Sequence, residues 1–176
     1  MKRFACIPIA AITALLLSSA AFAQEATAFA AMKSVDGKEL GTVTFTETKS
    51  GQLRVIVEMT GLSPGAHGFH VHEKGACDTA SKFATAGPHY SGGKEHGVDH
   101  EGGPHAGDLP NVHVGQDGIL KAEFFSDTLS ISEGDNPLMD ADGSAVMIHA
   151  GADDHSTQPG GDSGDRIACG LVQQPS

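Results

Sequence analysis

Two histidines two residues apart, His70 and His72 in Gly68-Phe69-His70-Val71-His72-Glu73, are the side chains of this sequence best placed to do chemistry. Side chains at i and i+2 of a strand point to one face, so the two imidazoles can grip a metal ion from the same side. Alone, such a pair could equally be two surface histidines. It is not alone: His89, His96, His100, His105, Asp108 and His149 follow. Imidazole suits copper, zinc, nickel and iron, and a carboxylate added to imidazoles in a tetrahedral set suits zinc. The candidates outnumber the needs of one ion. His89, His96, His105 and Asp108 fall in one segment and can wrap an ion locally, whereas His70, His72 and His149 need a fold to assemble them. Counting gives two adjacent sites, one all nitrogen and one containing Asp108, without saying which metal sits where.

The elements that must hold these residues read as strands. Turn signals recur at Asp36-Gly37, Ser50-Gly51, Pro64-Gly65, Asp117-Gly118 and Asp142-Gly143, and short alternating segments lie between them. In the clearest, Leu53, Val55, Val57 and Met59 share one face. Others span about 27–34, 40–48, 66–72, 111–115, 119–125, 145–150 and 166–173, a spacing that predicts an all-β sandwich or barrel. Its interior would draw on Phe45, Val55, Val57, Phe69, Val71, Phe124 and Val146. Two segments break the pattern, 74–110, rich in Gly, His and Asp, and 150–165, rich in Gly, Asp and Ser. Loops this long in a compact domain are commonly functional, and the first carries most of the candidate ligands.

Lys2 and Arg3, the apolar run Ile7 to Leu17 and Ala21-Phe22-Ala23 have the layout of a cleaved export signal. Residues 1–23 are therefore expected to be removed, leaving one domain over 24–176 in an oxidising compartment. The apolar run is too short for a membrane anchor. Loss of Lys2 and Arg3 takes the formal net charge from −11 to −13, and an acidic domain with no basic stripe argues against nucleic-acid binding. Of three cysteines, Cys6 lies in the signal. Cys77 and Cys169 remain, with a disulfide as the default in that compartment and thiolate metal ligation or a free thiol pair as the alternatives.

Four blocks carry a resemblance: Gly68-Phe69-His70-Val71-His72-Glu73, Ala86-Gly87-Pro88-His89-Tyr90, Gly103-Pro104-His105-Ala106-Gly107-Asp108-Leu109-Pro110-Asn111, and Gly164-Asp165-Arg166-Ile167-Ala168-Cys169-Gly170. They resemble the signature blocks of copper/zinc superoxide dismutases, in particular the exported bacterial members, and the likeness runs from about 27 to 173. It implies an eight-stranded Greek-key β-barrel with two long functional loops, this enzyme being itself a stock example of the immunoglobulin-like sandwich. It implies one copper and one zinc per subunit. Copper would be held by His70, His72, His89 and His149, and zinc by His89, His96, His105 and Asp108, with His89 bridging the two as a shared imidazolate. Cys77 and Cys169 would match the family disulfide, Arg166 the arginine beside the copper channel, and Asp153 the carboxylate that connects a copper histidine to a zinc histidine.

Within that resemblance His96 and His100 compete for one zinc position, and the interval of nine residues to His105 favours His96. His67 matches a structural histidine, while His113 and His155 read as solvated. The stretch Ser156-Thr157-Gln158-Pro159-Gly160 lacks a clear threonine at the channel position, and Asp162 and Asp165 leave electrostatic steering open. The implied activity is dismutation of superoxide to dioxygen and hydrogen peroxide in the periplasm, as antioxidant defence, with His89 taking up and returning a proton. The chain would be a monomer or a homodimer, with no nucleic-acid or membrane partner. The rival reading is a periplasmic copper/zinc-binding protein without dismutase activity. A copper-free relative should lack a copper ligand, and a copper chaperone should carry a thiol-pair domain ahead of the barrel.

Overall fold

The alternation along Leu53–Thr60 becomes a strand with one covered and one open side. Leu53, Val55, Val57 and Met59 are buried, while Arg54 and Ile56 are half-buried and Glu58 is exposed. A computed structural model describes residues 27–175, so the expected signal over 1–23 lies outside the described residues. Eight strands follow in order: β1 Thr27–Ser34, β2 Glu39–Glu47, β3 Leu53–Thr60, β4 Gly65–His72, β5 Asp108–Val114, β6 Ile119–Ser126, β7 Ala145–His149 and β8 Arg166–Gln173.

All pairings are antiparallel, in the order β5-β4-β7-β8-β1-β2-β3-β6. The end strands β5 and β6 are joined by a short turn and pack on each other, so the sheet curls into a nearly closed barrel. Strands β3 and β4, and likewise β6 and β7, are consecutive without being neighbours, and these crossings make the chain path a Greek key. The interior holds Phe45, Val55, Val57, Phe69, Val71, Leu120 and Val146, with Phe69 and Phe124 rings 5.9 Å apart. The all-β, eight-stranded barrel expected from the sequence is the fold observed.

Two departures from the expected boundaries matter. Strand β5 begins at Asp108, so this carboxylate sits on the barrel frame, in register with His70 of β4, rather than at the end of a free loop. A third irregular segment, 127–144, was not anticipated. It buries Leu129, Ile131 and Leu138 against the barrel, and Ile131 N–H donates to Glu47 Oε1 at 2.8 Å.

Strand β4 positions the site because neither of its faces is open. Phe69 and Val71 enter the core; His70 and His72, pointing the other way, are fully buried as well, covered by the two long loops. Burying apolar surface on one face at roughly 25 cal/mol per Å² anchors the strand that presents imidazoles on the other. The disulfide between Cys77 and Cys169, with Cα atoms 5.7 Å apart, ties the first loop to β8 and settles the cysteine alternatives.

Candidate metal centre

Two groups of ligand-type side chains converge beside β4. His70, His72, His89 and His149 form one, and His89, His96, His105 and Asp108 the other; within each, one ligand atom per residue lies within 4.8 Å of all the rest. His89 belongs to both. Rings of His70 and His89 are 4.0 Å apart between centroids, and those of His72 and His149 are stacked at 5.7 Å.

The hydrogen bonds explain which nitrogen each ring offers. His70 Nε2 donates to Asp153 Oδ2 at 2.8 Å, His72 Nδ1 to the Gly87 carbonyl at 2.9 Å, and His149 Nδ1 to the Gly164 carbonyl at 3.1 Å. The opposite nitrogens, His70 Nδ1, His72 Nε2 and His149 Nε2, are buried with no hydrogen-bond partner. Unsatisfied buried nitrogens are costly, and three converging on one point mark a place built for a cation. Each ring has its proton fixed on the far side by an acceptor, the usual support of a metal-bound imidazole.

Burial pushes His70 down to about 4, against the opposing hydrogen bond to Asp153, and pushes His149 down to about 3. His72 is lowered well below the ordinary histidine value by burial and then by His89. Neutral imidazole is the form a metal needs.

The second group surrounds Asp108. His89 Nδ1 and His105 Nδ1 lie 3.0 and 3.2 Å from its Oδ1, and His96 Nδ1 lies 3.0 Å from Oδ2. His96 Nδ1 nevertheless has no hydrogen bond of acceptable angle, so nitrogen and carboxylate face a common point rather than each other. Burial raises the Asp108 carboxyl, but hydrogen bonds from His89 and the Gly97 N–H outweigh it and hold the group well below the usual carboxylate range. The donors fit a divalent ion of the kind that takes three imidazoles and a carboxylate, while the first group is all nitrogen.

Asp153, buried, links the clusters by accepting from His70 Nε2 through Oδ2 and from His96 Nε2 through Oδ1, the latter at 3.0 Å. His100 stays out: its Nδ1 accepts the Gly102 N–H. His67 is buried between the His149 and Ser63 carbonyls, at 2.7 and 2.9 Å, as a packing residue. His113 is exposed. His155 is only half-exposed and its Nε2 accepts from Asn111 Nδ2 at 3.2 Å, so it is less solvated than its loop position suggests.

Arg166 Nη1 donates to the Phe83 carbonyl at 2.7 Å and Nη2 to the Gly87 carbonyl at 2.6 Å. It lines a cavity of about 520 Å³ with His72, His89, His149, Gly160 and Asp162. Sequence reasoning missed Asn111, whose side chain grips the backbone of Asp153 through both amide atoms at 2.8 Å. It missed Gly161 too. At φ +68°, with Asp153 Oδ1 and His96 Nε2 occupying the space that a Cβ would need, this position admits only glycine.

A Greek-key barrel bearing two histidine clusters with one shared member defines a class of two-metal β-barrel proteins. Residues 39–172 match the family model for copper/zinc superoxide dismutase (SODC), and the chain belongs to that family. A Cu-Zn superoxide dismutase of Caulobacter vibrioides is 44% identical over 149 residues, covering 83% of this chain and 85% of the relative. One from Aquifex aeolicus is 37% identical, covering 90% and 94%. The crystal structure of a SOD-like protein from Bacillus subtilis superposes with a TM-score of 0.78 at 36% identity, covering 82% of this chain and 97% of that one.

Proposed function

We propose that this protein converts two superoxide anions and two protons into dioxygen and hydrogen peroxide. In this reading His70, His72, His89 and His149 hold copper, and His89, His96, His105 and Asp108 hold zinc. Copper supplies the one-electron exchange and zinc a fixed charge on the shared imidazole. Arg166 presents a cation beside His72, His89 and His149 without being neutralised, since its two terminal nitrogens rest on carbonyl oxygens. It docks the small anion. His89 turns Nδ1 toward Asp108, which leaves Nε2 on the cavity side as the atom able to hold and return a proton to the reduced product. An acidic chain acting on an anion relies on local focusing of the field, for which superoxide dismutase is the usual example.

The fold does not carry this reading, because a SOD-like barrel is one of its neighbours. The observation that does is the set of orphaned nitrogens of His70, His72 and His149 converging beside His89 and Arg166. Removal of the segment 1–23 and a periplasmic location complete the proposal, supported by the residue pattern of the N-terminus. The test is metal analysis of the mature protein together with a superoxide-removal assay. About one copper and one zinc per chain, with cyanide-sensitive activity, are expected. Zinc alone and no activity after copper loading would leave a binding protein instead.

A further inference from the structure

Gln158 stands in the second long loop and neither cluster uses it as a ligand. Its side chain is exposed, yet its amide is fully engaged. Oε1 accepts the His96 N–H at 3.0 Å, while Nε2 donates to the His96 carbonyl at 2.8 Å and to the Ser156 carbonyl at 3.1 Å. One side chain thus reads both backbone groups of a single residue, which fixes that residue in position and orientation. The residue is His96, wholly buried, with Nε2 hydrogen-bonded to Asp153 and Nδ1 left without a hydrogen-bond partner beside Asp108.

The two residues after Gln158 form part of the cavity wall. Pro159 and Gly160 line it, and Gly160 lies so close over His89 that a Cβ there would stand 3.3 Å from Nε2. The same seam is closed by the Asp99 N–H donating to the His155 carbonyl at 3.0 Å, and by Gly97, whose Cα leaves no space for a Cβ beside that carbonyl.

We propose that Gln158 is a positioning residue that fastens the cavity wall to the Asp108 cluster, so that occupancy of this cluster and order of the wall above His89 are coupled. The proposal rests on the reading that the cluster holds zinc. An ion on the His96 ring fixes that residue's backbone, and Gln158 passes the constraint on to Pro159 and Gly160. Asp153 also joins the loops, accepting from the His70 and His96 rings and from the His155 N–H, but Gln158 alone among the described side chains holds both backbone groups of His96, and it does so next to the wall residues Pro159 and Gly160.

The test uses the full mature chain loaded with zinc, in wild-type form and as Gln158→Met and Gln158→Glu. Methionine matches the length without hydrogen bonds, and glutamate keeps only the acceptor for the His96 N–H. Release of zinc into a chromogenic chelator should be about fivefold faster in Gln158→Met and intermediate in Gln158→Glu. Amide exchange over 157–164, slowed by zinc in the wild type, should lose most of that zinc dependence in Gln158→Met. A merely structural role would lower the Tm of the metal-free chain while leaving zinc release and zinc-dependent protection unchanged, and that result overturns the proposal. Should Gln158→Met not fold, wild-type zinc release in Gln158→Glu overturns it equally. A wild-type protein that takes up no zinc would instead bring down the zinc reading, a failure visible before any variant is compared.

Discussion

At Arg166 both terminal nitrogens are spent on the carbonyls of Phe83 and Gly87, and no carboxylate pairs with it among the described residues. Burial lowers its pKa from the ordinary arginine value without neutralising it at physiological pH, so a positive charge remains at the cavity wall. Replacing it by glutamate reverses that charge while leaving every metal donor in place. Arg166→Glu should lower kcat/KM by roughly 10²-fold with copper and zinc contents unchanged, read by pulse radiolysis and metal analysis. Unaltered turnover would remove Arg166 from the mechanism. At this scale the sequence was legible where spacing alone carries geometry, as in His70 and His72. It was silent on Asn111 and Gln158, because each works through backbone groups 42 and 62 positions away that no local pattern connects.

Among the elements, β4 carries His70 and His72 and β8 carries Arg166, and the first long loop, which brings His89, His96 and His105, must be held against them. The Cys77–Cys169 bond does this across a separation of 92 residues. Replacing both cysteines by serine should cost about 4–5 kcal/mol of stability in the chain-entropy account, measured by urea unfolding of the metal-free protein. A loss under 1 kcal/mol would mean that the loop is held by its hydrogen bonds. The strands were legible to within a few residues because alternation and Asp-Gly turns mark both faces and ends. Segment 127–144 was not, since Leu129, Ile131 and Leu138 are buried without strand periodicity. Asp108 read as a loop residue because Pro110, on the exposed side of β5, masks the strand start.

For the whole molecule, the buried imidazoles tie folding to pH. Unfolded histidine titrates near 6.5, while folded His70 and His149 do so near 4 and 3, and His72 well below its ordinary value. Between those limits the unfolded chain binds more protons, so stability of the metal-free protein falls as pH falls. The slope is about 1.4 kcal/mol per pH unit for each such histidine. Asp108 and Asp153, held low, keep their contribution until pH drops below the ordinary carboxylate value. Loss between pH 6.5 and 4.5 therefore belongs to the histidines. Urea unfolding at pH 7.5 and 5 should show a clearly lower free energy at pH 5, and equal values would contradict it. The barrel itself was foreseeable from the pattern of alternation. The way two loops enclose β4 was not, because their order depends on contacts between residues far apart in sequence.

The Gly87 carbonyl accepts from both His72 and Arg166. One oxygen thus serves as the common datum for an imidazole of the all-nitrogen cluster and for the cation proposed to receive the anion. A change at that single carbonyl would therefore be felt by the imidazole and the guanidinium at once, at 2.9 and 2.6 Å, rather than by either alone.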